Sequence, residues 1–168
     1  MPTIDVVRGS LLEQDVDASV NAANSFMRGG GGIDGAIHRA AGPALLSELI
    51  RVAPHGARTG EVVVTPGFKT GFRFIFHTAG PIWRGGLRDE EKLLSDCYRN
   101  AVLEAERRDI KSLGFCSIST GAYSFPLERA APIALKTVYN TVSSLDRVVF
   151  AMFSEREYQV FSSAMQPQ

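Results

Sequence analysis

VNAANSFMRGGGGIDGAIH, residues 20–38, is the stretch on which the fold turns. It opens as the end of a strand and passes through the small residues Ala22 and Ala23 to Asn24. It then reaches four consecutive glycines, Gly29, Gly30, Gly31 and Gly32, and runs straight into a helical pattern. The glycines leave the backbone unshielded and free to take positive φ. The first helical turn, at about Ile33 to Gly35, brings free N–H groups and the positive end of the helix dipole, which together make a site for phosphate. The alternative is a flexible surface loop, but such loops seldom lead directly into a patterned helix.

Two nucleotide motifs are set aside here. Gly30, Gly32 and Gly35 match the GxGxxG spacing, but seven residues separate Asn21 from Gly29, whereas the dinucleotide fingerprint turns directly after its strand. The acidic residue expected about twenty positions on would be Glu48, which lies in a helical pattern rather than at a strand end. No Gly-Lys-Ser/Thr follows, so this is not a P-loop.

Outward from this stretch, strands and helices alternate. Residues 3–8, 16–21, 61–65, 72–78, 111–118 and 147–153 read as strands. The helix after the glycines places Ile33, Ala36, Ile37, Ala40 and Ala41 on one face. A second helix follows Gly42 and Pro43 through Leu45, Leu46, Leu49 and Ile50. The longest covers 89–108, with Leu93, Leu94, Cys97, Ala101 and Ala105 on its buried stripe, and two more are predicted at 126–144 and 155–164. This order predicts an α/β fold, a three-layer αβα sandwich around a central mixed, mostly parallel sheet. Ligands of such sheets bind beyond the carboxyl ends of the strands.

Composition narrows the function classes. A chain of 168 residues with no repeat or linker-like stretch is expected to be one domain. Lys+Arg and Asp+Glu are balanced at 18 each, so bulk charge draws it neither to nucleic acid nor to an anionic membrane. Arg107 and Arg108 are the only adjacent basic pair and Asp109 follows them, so intrinsic nucleic-acid binding is not expected. The start MPTIDVVRGS lacks the pattern of a signal peptide. Cys97 and Cys116 read as reduced core residues, which points to a cytoplasmic location. Three dispersed histidines and no CxxC or HExxH argue against a metal site.

The candidate chemistry sits in two loops. Asp34 and His38 are four residues apart, so they share a helix face that borders the apolar stripe, about a quarter turn from it. A carboxylate beside an imidazole next to a phosphate cradle can position or deprotonate water; otherwise Asp34 is a helix-start carboxylate favoured by the dipole and His38 a half-buried helix residue. Asn21 and Asn24 either hydrogen-bond sugar hydroxyls or satisfy loop backbone. Ser119, Thr120, Gly121, Ala122 and Tyr123 lie between strand 111–118 and a helix with Pro126 in its first turn, a second phosphate-friendly loop. Tyr123 offers its ring to a sugar or packs under the loop. Two such loops suit a diphosphate better than a monophosphate.

VNAANS, GGGGIDGAIHRAAGP, HTAGPIWRGG and SISTGAYSFP resemble, in this order, successive signatures of the MacroD-type macrodomains, and the resemblance extends from residue 3 to about residue 160. It implies one macrodomain over residues 1–168, an ADP-ribose crevice at the strand ends, and no metal or redox cofactor. It further implies a hydrolase that removes mono-ADP-ribose from Asp or Glu side chains of modified proteins, deacetylates O-acetyl-ADP-ribose, or both. The alternative is a non-catalytic reader of ADP-ribose, which does not need the Asp34–His38 pair. The implied partners are ADP-ribose, ADP-ribosylated proteins and O-acetyl-ADP-ribose. By the same resemblance Asn24, Asp34 and His38 occupy the distal-ribose and catalytic positions. Ala23, Gly31, Gly32 and Ile33 fall in the first ligand loop, and residues 119–123 in the second. Phe153 falls where an aromatic lies against adenine, or else is a core residue at the strand end. His77 reads as structural. One departure stands out: the family's Gly-Asp-Ile-Thr is Gly9-Ser10-Leu11-Leu12 here, so Ser10, with Leu11 beside it, replaces a charged acceptor for the adenine amino group by a neutral one. Such a change is worth about 1–2 kcal/mol.

Overall fold

The computed structural model describes residues 2–165. In chain order the elements are β1 (Thr3–Arg8), β2 (Ala18–Ala23), α1 (Gly32–Ala41), α2 (Ala44–Val52), β3 (Val62–Pro66), β4 (Phe74–Ala79), α3 (Glu90–Arg107), β5 (Ser112–Phe115), α4 (Leu127–Thr141), β6 (Arg147–Met152) and α5 (Glu155–Ala164). The strands form one six-stranded sheet in the order β1-β6-β5-β2-β4-β3. Every neighbouring pair is parallel except β3 with β4. Helices α3, α4 and α5 pack side by side, while α1 packs on β2 and against α2. This is the expected three-layer sandwich. No helix among the described residues is long and apolar enough to cross a membrane.

The strands read as near-continuous apolar runs because helices cover the sheet on both faces. In β6, residues 148–152 are all buried, whereas the edge strand β1 is half-exposed throughout. Under α3 and α5 the rings of Tyr98, Phe115, Phe150 and Phe161 pack in sequence, with centroids 5.1, 5.3 and 5.7 Å apart; the middle pair is stacked and the outer two are tilted. Truncating a fully buried ring such as Phe150 to alanine costs about 3–5 kcal/mol, a large part of a domain's stability.

Several boundaries differ from the sequence reading. Strand β2 begins at Ala18 instead of 16; at its entry the Asp17 carboxylate accepts the backbone N–H groups of Lys111 and Ser112. It then continues two residues further, through Ala22 and Ala23. In α1 the buried stripe is Asp34, Gly35, Ile37 and Ala41, so Asp34 lies inside the buried face and not a quarter turn from it. Leu46 and Ile50 of α2 point outward, and only Leu45 and Leu49 are buried. Strand β5 stops at Phe115, three residues short of 118, and the reason creates the functional site.

Candidate functional site

Strand β5 pairs with β2 only at Leu113 and Gly114, opposite Ala18 and Ser19. Beyond these the strands part, leaving Cys116 and Ser117 on one side and Ala22, Ala23 and Asn24 on the other. The gap is a crevice of about 780 Å³ at the carboxyl ends of the parallel strands. That volume suits a nucleotide-sized ligand.

The first loop forms one wall. Asn24 Oδ1 accepts the backbone N–H of Phe26 at 3.0 Å, and its Nδ2 donates to the Gly29 carbonyl at 3.1 Å. The chain then passes between two side chains: a β-carbon at Gly30 would lie 3.3 Å from both Asn24 Nδ2 and Asp34 Oδ2. Gly35 is required for the same closeness, since its β-carbon would stand 2.7 Å from the Gly30 carbonyl oxygen. Helix α1 starts after Gly31 with no side-chain cap. A β-carbon at Gly31 or Gly32 would meet nothing within 4 Å, so this wall is bare backbone with helix-start amides.

Asp34 sits at the inner end of that wall, 4% exposed. Its Oδ1 accepts a hydrogen bond from Asn21 Nδ2 at 2.8 Å. His38 Nε2 lies 3.4 Å from the same oxygen but out of hydrogen-bonding alignment, so the pair interacts through charge and proximity. Burial raises the Asp34 pKa; the Asn21 hydrogen bond and His38 oppose that rise. A buried carboxylate beside open crevice space is the group best placed here to hold a water.

The second loop forms the facing wall. Ser119 and Ser124 adopt left-handed backbone at φ 69° and 63°, and the Phe125 N–H donates to the Ser119 carbonyl at 3.0 Å. Ser119 Oγ is buried and has no partner. Strain and an orphaned hydroxyl in a single residue are features that gather at functional sites. The loop is braced from outside: the Trp83 N–H donates to the Tyr123 carbonyl at 2.9 Å, and the Trp83 ring packs on Phe125 with centroids 4.8 Å apart. Residues 84–88 are held in turn by the buried Glu90 carboxylate, which accepts the N–H groups of Arg84, Gly86 and Arg88 at 2.8, 3.0 and 2.6 Å. Burial alone would raise its pKa, but these donors outweigh it and hold Glu90 at about 2.

Adjacent β1 and β6 supply the far end of the crevice. Gly9 N–H donates to the Met152 carbonyl at 2.9 Å, which brings Ser10 and Leu11 beside Phe153. Ser10 Oγ caps a short 3-10 turn by accepting the Leu12 N–H at 3.2 Å. Phe153 is 78% exposed, an aromatic face standing free at the rim instead of a core residue.

The crevice brings together Ser10, Leu11, Ala23, Asn24, Gly31, Gly32, Ile33, Asp34, Ser119, Gly121, Ala122, Tyr123 and Phe153. Two expected residues fall outside its lining. Thr120 turns its hydroxyl back to Ser117 Oγ at 2.6 Å and faces a neighbouring groove instead. His38 packs behind Gly29, beside Asp34 and away from the open space. Asn21 cannot contact a sugar: it is wholly buried behind Asp34. Sequence reasoning missed Gly30, Arg39, Cys116 and Glu157, which also line the crevice. Gly30 belongs to the glycine run and Arg39 is spaced on α1 with Ile33 and Ala36, so both carried a local signal; Cys116 and Glu157 depend on which strands and helices become neighbours. Cys116 is no nucleophile, because burial pushes its thiol up to about 12. Among the described residues no group of three or more His, Cys, Asp or Glu is placed to hold a metal ion.

Comparison with known proteins identifies the family and the fold. The Macro domain family matches residues 20–134. A Macro domain-containing protein of Ralstonia nicotianae is 50% identical over 163 residues, covering 97% of this chain and 94% of its own. A Salmonella newport protein named O-acetyl-ADP-ribose deacetylase is 42% identical over 170 residues, covering 98% and 95%. The solved macrodomain of Oceanobacillus iheyensis with ADP superposes with a TM-score of 0.92 at 40% identity, over 98% of this chain and 90% of that one. The chain belongs to the Macro domain family.

Proposed function

We propose that this protein binds ADP-ribose in the crevice and hydrolyses the ester that joins the distal ribose to an acyl group. The observation that carries the reading is Asp34, buried at the inner end of a backbone-lined crevice with Asn24 and the Gly30 backbone against it. The two facing loops suit a diphosphate, with the amides at Gly31, Gly32 and Ile33 on one side and those of residues 119–123 on the other. The aromatic face of Phe153, with Ser10 and Leu11, takes the base. That arrangement directs the distal ribose to Asn24 and Asp34. Asp34 positions a water; the water's oxygen joins the acyl or anomeric carbon, the C–O bond to the leaving group breaks, and the leaving oxygen takes the proton. The proton passes through Asp34 or through the ligand's own phosphate.

Mono-ADP-ribose on an Asp or Glu side chain and O-acetyl-ADP-ribose contain the same kind of bond, an acyl ester of a ribose hydroxyl, so one site serves both. The Salmonella relative's name and the ADP held by the Oceanobacillus neighbour support the substrate class. The chain is read as one domain that works without a metal or redox cofactor.

The test is release of ADP-ribose over time from a protein mono-ADP-ribosylated on glutamate, with wild type and Asp34→Ala. Catalytic release by wild type, reduced about 10²–10⁴-fold in the variant, is the expected result. Unchanged turnover in Asp34→Ala would sink the role given to that residue. ADP-ribose binding without any release, from this substrate or from O-acetyl-ADP-ribose, would make the protein a reader.

A further inference from the structure

Behind Asp34 a chain of hydrogen bonds runs sideways through the sheet. Asn21 of β2 is in direct register with His77 of β4, and Thr65 of β3 stands diagonally across from His77 on the same face. All three are buried, Asn21 and His77 completely and Thr65 with 1% exposed. Asn21 Nδ2 contacts Asp34 Oδ1 at 2.8 Å and His77 Nδ1 at 3.1 Å, and His77 Nε2 contacts Thr65 Oγ1 at 2.9 Å.

The donors and acceptors of this chain fall in only one order while Asp34 is ionised. The amide nitrogen has two protons and no acceptor capacity, so one goes to Asp34 and the other to His77 Nδ1. His77 Nδ1 therefore accepts, its proton sits on Nε2, and that N–H donates to Thr65. The ring must also be neutral; burial, with a smaller contribution from His38, holds its pKa down to about 3. Turning the Asn21 amide over would set its oxygen against the Asp34 carboxylate. Instead Asn21 Oδ1 is left buried without a partner, which is tolerated because the charged acceptor is served first.

We propose that Asn21 and His77 are positioning residues for the reaction: His77 fixes which way the Asn21 amide points, and the amide keeps Asp34 ionised and aimed into the crevice. When Asp34 takes a proton the chain reverses, with Asp34 and His77 Nδ1–H donating to a turned Asn21 oxygen and the Thr65 hydroxyl donating to His77 Nε2. The titratable groups that face Asp34 are His38 from its own helix and, through Asn21, His77 from β4; β3 contributes only the neutral Thr65. The role in turnover rests on Asp34 acting as proposed above, whereas the effect on its ionisation does not.

The experiment therefore reads ionisation and turnover separately. In the first arm, ¹³C NMR follows the Asp34 carboxyl against pH in wild type, His77→Leu and His77→Asn. Leucine removes the acceptor that orients Asn21, and asparagine restores an acceptor near the position of Nδ1. The expected result is an upward shift of the Asp34 titration in His77→Leu by about one pH unit, the scale of a hydrogen bond to a charged group, and its reversal in His77→Asn. The acid limb of kcat/KM should move with it, kcat at pH 7 should fall severalfold, and the Kd for ADP-ribose should stay unchanged. A folded His77→Leu with wild-type titration and pH profile overturns the proposal. Should that variant fail to fold, the ¹⁵N shifts of His77 in the wild-type chain at pH 7 decide: the Nε2–H tautomer is required, and the Nδ1–H tautomer overturns the proposal. A shifted carboxyl titration with no dependence of turnover on Asp34 would instead leave the chain standing and remove the catalytic reading.

Discussion

Gly80 and Ser119 lie so close that a β-carbon on Gly80 would overlap Ser119 Oγ and crowd the Ile118 side chain. Gly80 follows β4 and Ser119 begins the second crevice loop, so this contact sets how near that loop comes to the first. Gly80→Ala is therefore expected to displace residues 118–123, destabilise the fold by about 1–3 kcal/mol through overpacking, and weaken ADP-ribose binding at least tenfold. Titration calorimetry and urea unfolding check the two effects. Unchanged affinity at reduced stability would show that the loop tolerates the displacement.

Asp34 is held at a cost to the fold. A carboxyl whose folded pKa is raised binds more protons folded than unfolded, so its effect on stability worsens as pH rises through that interval. Asp34→Asn removes the buried charge and keeps an oxygen for Asn21. It should melt at a higher temperature than wild type at pH 7, with the difference shrinking as pH falls toward about 3.9, the unfolded value for aspartate, and vanishing below it. Scanning calorimetry at several pH values measures this, and a lower melting temperature at pH 7 would contradict it.

His77 gives the opposite sign. Its pKa falls from about 6.5 unfolded to about 3 in the fold, so the folded state binds fewer protons. The stability it contributes is complete above about 6.5 and is lost progressively as pH drops toward 3. Between pH 6.5 and 5 the wild-type unfolding free energy should fall relative to that of His77→Asn, with a slope approaching about 1.4 kcal/mol per pH unit. Equal slopes in the two proteins would mean that His77 is protonated inside the sheet.

Ser10 caps its 3-10 turn through Oγ, a task aspartate performs equally well. Ser10→Asp should therefore leave the fold unchanged while adding a charged acceptor at the Phe153 end of the crevice. The expected gain in ADP-ribose affinity is about 1–2 kcal/mol, roughly 5- to 30-fold. Competition binding against an inosine-based analogue, which lacks the amino group, separates base recognition from a general electrostatic change. Equal effects on both ligands would place the base elsewhere.

What was legible in the sequence was local. The glycine run entering a helix, and the four-residue step from Asp34 to His38, need only helical geometry, and both produced the expected neighbours. The role of Asn21 was not legible, because its partner His77 is 56 residues away and becomes adjacent only when β4 settles beside β2. Phe153 was undecidable for a related reason: a residue just past a buried strand turns inward or outward according to how α5 leaves the sheet. Thr120 and Ser119 are chemically alike and adjacent in sequence, and only the folded loop separates them, with Ser119 lining the crevice and Thr120 the neighbouring groove. The end of β5 followed the same rule, since where two strands part depends on the loops that part them.

The bare glycine walls of the crevice bear on inhibitor design. A β-carbon at Gly31, Gly32 or Gly121 would enter open space, so these stretches present peptide amides and little else. Every amino acid except proline carries the same amide. A compound that took its hydrogen bonds from these groups would face a target whose chemistry single substitutions cannot recolour. Resistance would have to come through bulk pushed into the crevice, and the side chain that kept the drug out would stand where the natural nucleotide has to lie.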